Sequence, residues 1–251
     1  MTRSLTILSL YPRQLGINGD SGNVLALRVR AEARGIEVTV VDHNVGDALP
    51  ETVDLVHIGS GPRTAQLAVQ SDLAAVAPRL LAWKRVGVPV VAIAGGWQLL
   101  GASITDEDGT VTPGAGLFPS RVTLVARRAV GEIVLASHAG TLAGFENHGS
   151  VTTLEAGVTP LGTVTSGFGN AGAASSTGTE AAIEGVVDGT SVGTNLHGPF
   201  LPMNPVWADR FIVAGLAHAG SDTALDDVPR LAAIDETAAN ARAAIAKRLG
   251  L

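Results

Sequence analysis

Residues 91–101, VAIAGGWQLLG, decide how the rest of the chain is interpreted. An apolar, β-branched run stops at Gly95-Gly96 and continues as Trp97-Gln98-Leu99-Leu100, which predicts a strand that turns sharply into a helix. In a nucleophile elbow the turn residue attacks the substrate, and the following helix N-terminus offers N–H groups to an oxyanion. Ala94 stands at this turn, and alanine cannot attack. The stretch therefore predicts a catalytic architecture with an inert residue at its centre.

Strands and helices alternate in the first part of the chain. The predicted strands lie at residues 5–10, 37–42, 54–59 and 89–94, and the predicted helices lie at residues 22–34, at residues 63–84 and after Gly96. Strands that are apolar on both faces belong to a mostly parallel sheet covered by helices. We therefore expect an α/β fold with a twisted, mostly parallel sheet flanked by helices.

The middle of the chain, residues 114–188, has a different pattern. Short Val, Thr and Leu runs separated by Gly, Ser, Asn and Pro predict an antiparallel, strand-rich section, and SGFGNAGAASSTG at residues 166–178 predicts a mobile surface loop. A strand at residues 191–196, a helix at residues 204–218 opened by Asn204-Pro205, and a terminal helix at residues 236–249 follow. We expect one domain spanning residues 1–251.

Composition excludes several classes of function. The 251 residues are 46% hydrophobic with a mean hydropathy of +0.31, which is ample for a large core. A net charge of −6 without a basic stripe argues against nucleic acid as a partner. The chain has no cysteine, which excludes disulfides, thiolate metal sites and cysteine nucleophiles. Glycine and proline interrupt the longest uncharged stretch, residues 86–105, so we expect no transmembrane segment and a cytoplasmic location.

The six histidines show no close pairing of the kind that binds metal, so we expect no metal site and read most of them as packed or surface residues. His197 is the exception because it ends a predicted strand, at the sheet edge where open α/β folds place their chemistry and where the Ala94 turn also lies. The chain has no GxxxxGK[ST] loop, and no amphipathic helix follows the GxGxxG at residues 167–172. We therefore expect no bound cofactor.

Several blocks of the sequence resemble one family. AGGWQLLG at residues 94–101 resembles the nucleophile elbow of class I glutamine amidotransferases, with alanine in place of their cysteine, and TNLHGPFLPMNP at residues 194–205 resembles their histidine segment. YPRQLGINGDSGNVLAL at residues 11–27, GFENHGSVTTL at residues 144–154 and GFGN at residues 167–170 resemble the cobyric acid synthase type, in particular the amidotransferase subunits of lipid II isoglutaminyl synthases. The blocks occur in the right order over nearly the whole chain.

The resemblance implies a division of labour between two subunits in peptidoglycan biosynthesis. In the family the small subunit hydrolyses glutamine through a Cys–His pair, and the ammonia passes to a Mur-ligase-like, ATP-dependent partner that amidates the D-glutamate of lipid II. It implies that His197 is the base, that Ala94 occupies the nucleophile position and that the two chains form a heterodimer. Pro199 stands where other class I enzymes carry a glutamate, so a catalytic dyad is expected.

Three further residues are candidates for substrate binding, each with a structural alternative. The resemblance assigns Arg128, in RRAVGE, to the glutamine carboxylate; the alternative is a solvated surface charge beside Arg127. Gln98 either hydrogen-bonds the ligand or caps the local helix start. Gly61 is either a backbone donor to the oxyanion or an ordinary turn glycine.

The chain departs from the family at Ala94, at GSGPR (residues 59–63, where relatives show Gly-Gly-Gly-Gln-Asp) and at GINGD (residues 16–20, where they show Asn-Ile-Tyr-Gly-Asp). Without a thiolate, glutaminase activity is expected to be absent. Either Ala94 replaces a natural cysteine by experiment, or the gene encodes alanine and the chain is a non-catalytic, regulatory subunit. The changes at Pro62 and Arg63 favour the second origin. A weaker alternative makes Ser60 the nucleophile.

Overall fold

The computed structural model describes residues 3–174 and 182–251, which form two sheets and their covering helices. The first sheet has six strands, which are β1 (Ser4–Leu10), β2 (Glu37–His43), β3 (Leu55–Ile58), β4 (Val90–Ile93), β11 (Val186–Asp188) and β12 (Ser191–Thr194). Their order across the sheet is β11-β12-β4-β3-β1-β2, and all are parallel to their neighbours except β11.

Helices cover both faces of this sheet. They are α1 (Ser21–Glu32), α2 (Arg63–Arg85), α3 (Gly95–Leu100), α4 (Phe200–Met203), α5 (Pro205–His218) and α6 (Pro229–Arg248). Because side chains alternate along a strand, Leu5 and Ile7 of β1 pack in the core with α1 and α5, whereas Leu8 and Leu10 pack in the core with α2. Burial on both faces explains why these strands are continuous apolar runs.

The second sheet comes from the middle of the chain and stands beside the first. Its strands are β5 (Ser103–Thr105), β6 (Val111–Pro113), β7 (Ser120–Ser137), β8 (Gly140–Leu154), β9 (Gly162–Ser166) and β10 (Ile183–Glu184). Their order is β10-β9-β7-β5-β6, and β8 pairs with β7 in a long antiparallel hairpin. Most pairs are antiparallel, and β5 runs parallel to β7.

The predicted α/β fold, with its mostly parallel helix-flanked sheet and its antiparallel middle, is confirmed. Two details differ. The last helix begins at Pro229, seven residues before the predicted start at 236, because a proline at the first helical position opens it. Asn204 does occupy the N-cap position of α5, but its side chain makes no capping bond and instead hydrogen-bonds the backbone of Ala143 and Phe200.

The prediction of a mobile loop at residues 166–178 is wrong for its first part. Gly169–Ala174 forms a 3-10 helix that is interrupted by a kink at Gly172, and the buried Asn170 side chain exchanges two hydrogen bonds with the backbone of Gly185. These long-range bonds order a segment whose composition is that of a loop. Residues 175–178 lie outside the described residues. Within the described parts of the chain, no helix has both the length and the apolar character needed to cross a membrane.

Candidate active site

The turn between β4 and α3 has the geometry of an elbow. Ala94 has φ 40° and ψ −105°, a backbone conformation that an L-residue rarely adopts, and it is only 2% exposed. Its N–H donates to the Thr194 carbonyl at 2.7 Å, and its carbonyl accepts from the Gln98 N–H at 2.8 Å. Bonds to a neighbouring strand and to the following helix therefore hold the turn without any contribution from a reactive side chain.

The glycines after Ala94 are explained by the close approach of residues 59–61, the loop that follows β3. A Cβ atom at Gly96 would lie 2.4 Å from the Gly59 carbonyl oxygen, and one at Gly95 would lie 3.0 Å from the Gly61 carbonyl oxygen. Gly61 itself has no room, because its Cβ would lie 2.6 Å from the Gln14 carbonyl oxygen. Gly61 is thus required by packing, and its backbone lies beside the elbow.

The side chain of Ser60 contacts the first residue after the elbow. Its Oγ accepts a hydrogen bond of 3.3 Å from the Gly95 N–H, the group that an elbow normally turns toward the oxyanion. Within the described residues, Ser60 Oγ makes no hydrogen bond to a histidine, so no base is in place to activate it. This arrangement does not favour Ser60 as a nucleophile.

The two other unusual loop residues anchor the start of α2. Pro62 is the residue before the first turn of the helix, where a missing N–H costs nothing. The Arg63 guanidinium makes a bidentate ion pair with Asp106 at 2.6 and 2.8 Å and also donates to Thr112 Oγ1. This pair connects the residue 59–63 loop to the β5–β6 hairpin.

The surroundings of His197 are those that suit a general base. Its Nδ1 lies 3.0 Å from Asp20 Oδ1, and Nε2 is buried with no hydrogen-bond partner among the described residues. A carboxylate at Nδ1 selects the tautomer with the proton on Nδ1, which leaves the lone pair on Nε2. The predicted dyad is therefore incomplete as a description, because Asp20, which is 0% exposed, orients the imidazole.

Asp20 also connects His197 to the loop that follows β3. Its second oxygen, Oδ2, accepts the Ser60 N–H at 2.9 Å. A single buried carboxylate thus positions the His197 ring and the loop that carries Ser60 and Gly61 at the same time.

Buried polar groups hold the segment that carries His197. Glu184 accepts hydrogen bonds from the Thr194 hydroxyl and from the Asn195 backbone and side chain, while burial raises the pKa of this carboxyl. The His197 backbone pairs with Phe145 of β8 through bonds of 2.7 and 3.1 Å. These contacts join the end of β12 to the second sheet.

A cavity of about 410 Å³ opens above Ala94, and we call it the elbow cavity. Its walls include Gly61, Ala94, Gln98 and Arg128, so the structure brings together four of the five residues selected from the sequence. His197 does not line this cavity; it lies three residues after the end of β12, the strand that pairs with β4. Within the described residues, no group of three or more His, Cys, Asp or Glu side chains is arranged to bind a metal.

An irregularity in the β7–β8 hairpin brings Arg128 to the elbow cavity. Leu124 pairs with Ser150 and Ala129 pairs with His148, so residues 125–128 on β7 oppose one residue on β8 and leave the ladder. The Arg128 side chain is exposed at the cavity wall and donates to the Asn147 carbonyl and Oδ1 at 2.8 and 2.9 Å. Arg128 is thus both a solvated charge and a cavity residue.

Gln98 neither caps α3 nor points freely into the elbow cavity. Its Oε1 accepts from Gln66 Nε2 at 3.0 Å, and its Nε2 donates to Ser150 Oγ at 3.2 Å. Gln66 in turn donates to the Gly61 carbonyl. Gln98 therefore connects α2, the residue 59–61 loop and β8 in the wall of the elbow cavity.

The ENH motif of β8 supplies another part of the same wall. His148 is buried, lines the elbow cavity and lies 3.4 Å from Glu146, whose carboxylate accepts the N–H groups of Phe168 and Gly169. Reasoning from the sequence missed Asp20, Gln66 and Asn147 as site residues. Asp20 and Asn147 lie in residues 11–27 and 144–154, two of the blocks that carry the family resemblance, whereas no local pattern marks Gln66.

Comparisons with known proteins agree with this geometry. Residues 6–205 match the CobB/CobQ-like glutamine amidotransferase domain. The chain is 36% identical to the lipid II isoglutaminyl synthase (glutamine-hydrolyzing) subunit GatD of Staphylococcus aureus, over 80% of this chain and 79% of that protein. It is 32% identical to the subunit of the same name from Streptococcus pneumoniae, over 84% and 80%. A crystal structure of a glutamine amidotransferase, 17% identical, superposes with a TM-score of 0.54 over 85% of this chain and 98% of that one.

Proposed function

Because this chain belongs to the CobB/CobQ-like glutamine amidotransferase family, we propose that it is the amidotransferase-type subunit of a complex that amidates the D-glutamate of lipid II, and that it does not hydrolyse glutamine with alanine at position 94. The names of the two relatives support the first half of the proposal. The observation that carries the second half is Ala94 itself, held in the elbow conformation.

The chemistry explains why a single residue decides activity. With a cysteine at position 94, His197 Nε2 would accept the thiol proton, and the thiolate would form a bond to the carboxamide carbon. The N–H groups of Gly95 and Gly61 would hold the resulting oxyanion. The C–N bond would then break, with His197 returning the proton to the departing ammonia, and water would cleave the thioester. Ala94 has no side-chain atom that can form this bond, so the hydrolysis reaction cannot begin.

The elbow cavity remains suited to holding glutamine. Arg128 and Asn147 offer a guanidinium and an amide at the cavity wall, and His197, whose Nε2 has no hydrogen-bond partner among the described residues, follows the neighbouring strand β12. We propose that Arg128 contacts the glutamine carboxylate, that Gly61 is an oxyanion donor and that Gln98 acts as a wall residue. The ligand would be bound and released intact.

As part of the same proposal, the 251 residues form one domain that pairs with a Mur-ligase-like, ATP-dependent subunit in the cytoplasm. If the gene encodes alanine at position 94, the chain stabilises or regulates that subunit, which takes its amine from another source. If the gene encodes cysteine, the natural protein is the hydrolysing subunit. The Ser60 hydroxyl on the Gly95 N–H and the Arg63–Asp106 pair support the first case, since both lie outside position 94.

The test is ammonia release from glutamine by Ala94→Cys in complex with the ligase subunit. We expect activity at least about 1000-fold above that of the chain with Ala94, because loss of a nucleophile in a catalytic triad costs about 10⁶-fold. Ala94→Cys/Ser60→Gly should exceed Ala94→Cys by roughly tenfold, since it frees the Gly95 N–H for the oxyanion.

Ala94→Cys/His197→Gln is the matched control, because it carries the thiol without the base and should return to background. Hydrolysis by the chain with Ala94 would contradict the proposal outright. A folded, partner-bound Ala94→Cys without activity would mean that the site has changed beyond its nucleophile, and the chain would then have a binding role only.

A further inference from the structure

A second cavity, of about 220 Å³, lies at the carboxyl ends of β1, β2 and β3. β2 lies on one side of β1 and β3 lies on the other, so the connections that leave β1 and β3 run in opposite directions across the sheet. In open α/β sheets this divergence is the place where ligands bind. The elbow cavity uses the same two loops but extends toward the end of β4, whereas the second cavity lies at the ends of β1, β2 and β3.

The floor of the second cavity is a row of polar residues across three strands. Ser9 of β1 is in register with Asp42 of β2 and with His57 of β3. The preceding residues on the same face, Ile7 and Leu55, belong to the hydrophobic core. The apolar pattern of this face therefore stops at one register position, and the polar residues meet only because the strands are neighbours.

His57 is the residue that points to a ligand. It lines the second cavity, is 3% exposed, and neither of its ring nitrogens has a hydrogen-bond partner among the described residues. Buried polar groups are nearly always paired, so two unpaired ring nitrogens beside a cavity call for a partner in that cavity. Burial lowers the pKa of His57 to about 4, so the ring is neutral and keeps one lone pair.

The lining favours a ligand that donates hydrogen bonds and carries positive charge. Asp42 offers a carboxylate, and the Ser9 and Ser21 hydroxyls and His57 offer further acceptors. Neither lysine nor arginine is among the described residues that line this cavity, and the Asp20 carboxylate is close enough to act on His57. The N-terminus of α1, at Ser21, carries a partial positive charge of about half a unit, which disfavours a cation. The two negative carboxylates of Asp20 and Asp42 outweigh this effect.

We propose that the second cavity binds a small primary amine in its ammonium form. Asp42 at the rim accepts from the ammonium group, and the lone pair of His57 and the Ser9 hydroxyl accept deeper in the cavity. The volume of about 220 Å³ leaves room for a small amine with several carbon atoms. This site goes beyond the proposed function, since it does not depend on whether glutamine is hydrolysed.

The second cavity and the elbow cavity are lined by neighbouring residues of the same two loops. In the residue 15–20 loop, Gly16 lines the second cavity while Ile17 and Asn18 line the elbow cavity. In the loop after β3, Gly59 faces the second cavity, and Ser60 and Gly61 face the elbow cavity. An occupant of one cavity therefore contacts the loops that shape the other.

The test is an NMR titration of the full chain, labelled at histidine, with methylammonium chloride near neutral pH and without glutamine. We expect the ring signals of His57 to shift and to saturate. Tetramethylammonium chloride at equal ionic strength is the control, because it has the same charge and no N–H donor, and it should leave these signals unchanged.

Variants locate the binding. Asp42→Asn, at an exposed rim position, should weaken methylammonium binding about tenfold, and Ser9→Ala should weaken it about threefold. Asp227→Asn, an exposed carboxyl outside the cavity, should bind as the parent chain does. The proposal is overturned by shifts that do not saturate, by equal shifts with tetramethylammonium, or by Asp42→Asn binding unchanged. A saturating shift with inorganic phosphate and none with methylammonium would also overturn it, because the site would then bind anions.

Discussion

The segments that carry His197 and Ala94 follow the neighbouring strands β12 and β4, and only the first has a side chain with a functional group at the predicted catalytic position. On the β12 side, Asp20 orients the His197 ring, and Nε2 has no hydrogen-bond partner among the described residues. On the β4 side, the turn keeps its strained conformation around a methyl group. The difference teaches that packing determines the backbone geometry of this site, whereas a single side chain determines whether the geometry performs chemistry.

The largest effect on kcat is expected for a substitution of Asp20, which orients the His197 ring. In the Ala94→Cys complex, Asp20→Asn should lower kcat by roughly 100- to 10 000-fold with little change in KM, because an amide no longer selects the correct His197 tautomer. In the chain with Ala94, the same change should move the His197 ring signals in NMR. Unchanged tautomer and unchanged kcat would show that Asp20 is only a structural residue.

The elbow side is tested by stability. Ala94→Gly should change the free energy of unfolding by less than about 0.5 kcal/mol, because relief of strain at φ 40° offsets the lost methyl group and the added entropy of glycine. Ala92→Gly is the matched control, since this residue is also buried and lies two positions earlier in β4, with ordinary strand backbone, and it should cost about 1–2 kcal/mol. Denaturant unfolding measures both values, and equal losses would mean that the turn stores no strain.

The cavity wall gives the smallest effect. Because the chain with Ala94 should not consume glutamine, calorimetry measures glutamine binding directly. Arg128→Lys should weaken binding about fivefold, since an ammonium group cannot replace a bidentate guanidinium. Arg127→Lys, at the neighbouring exposed position that does not line the elbow cavity, should have no effect. Equal affinity in both variants would assign Arg128 to the solvated surface.

Much of the fold could be predicted because its signals are local. Continuous apolar runs predicted the buried parallel strands, and the Gly95-Gly96 break predicted the elbow at its correct position. The 3-10 helix at Gly169–Ala174 was missed because the bonds between Asn170 and Gly185 join residues that are distant in the chain. Composition reports the local preference of a segment, and long-range bonds override it.

The sequence was sufficient to identify the missing thiol, the histidine at the end of a strand and the order of the motif blocks, since each depends on residue type and on neighbours in the chain. The Asp20–His197 pair, the Ser60 hydroxyl on the Gly95 N–H and the row of Asp42, Ser9 and His57 were decided by the tertiary structure. Strand order brings these residues together, and strand order follows from how helices and sheets bury their apolar faces across the whole chain.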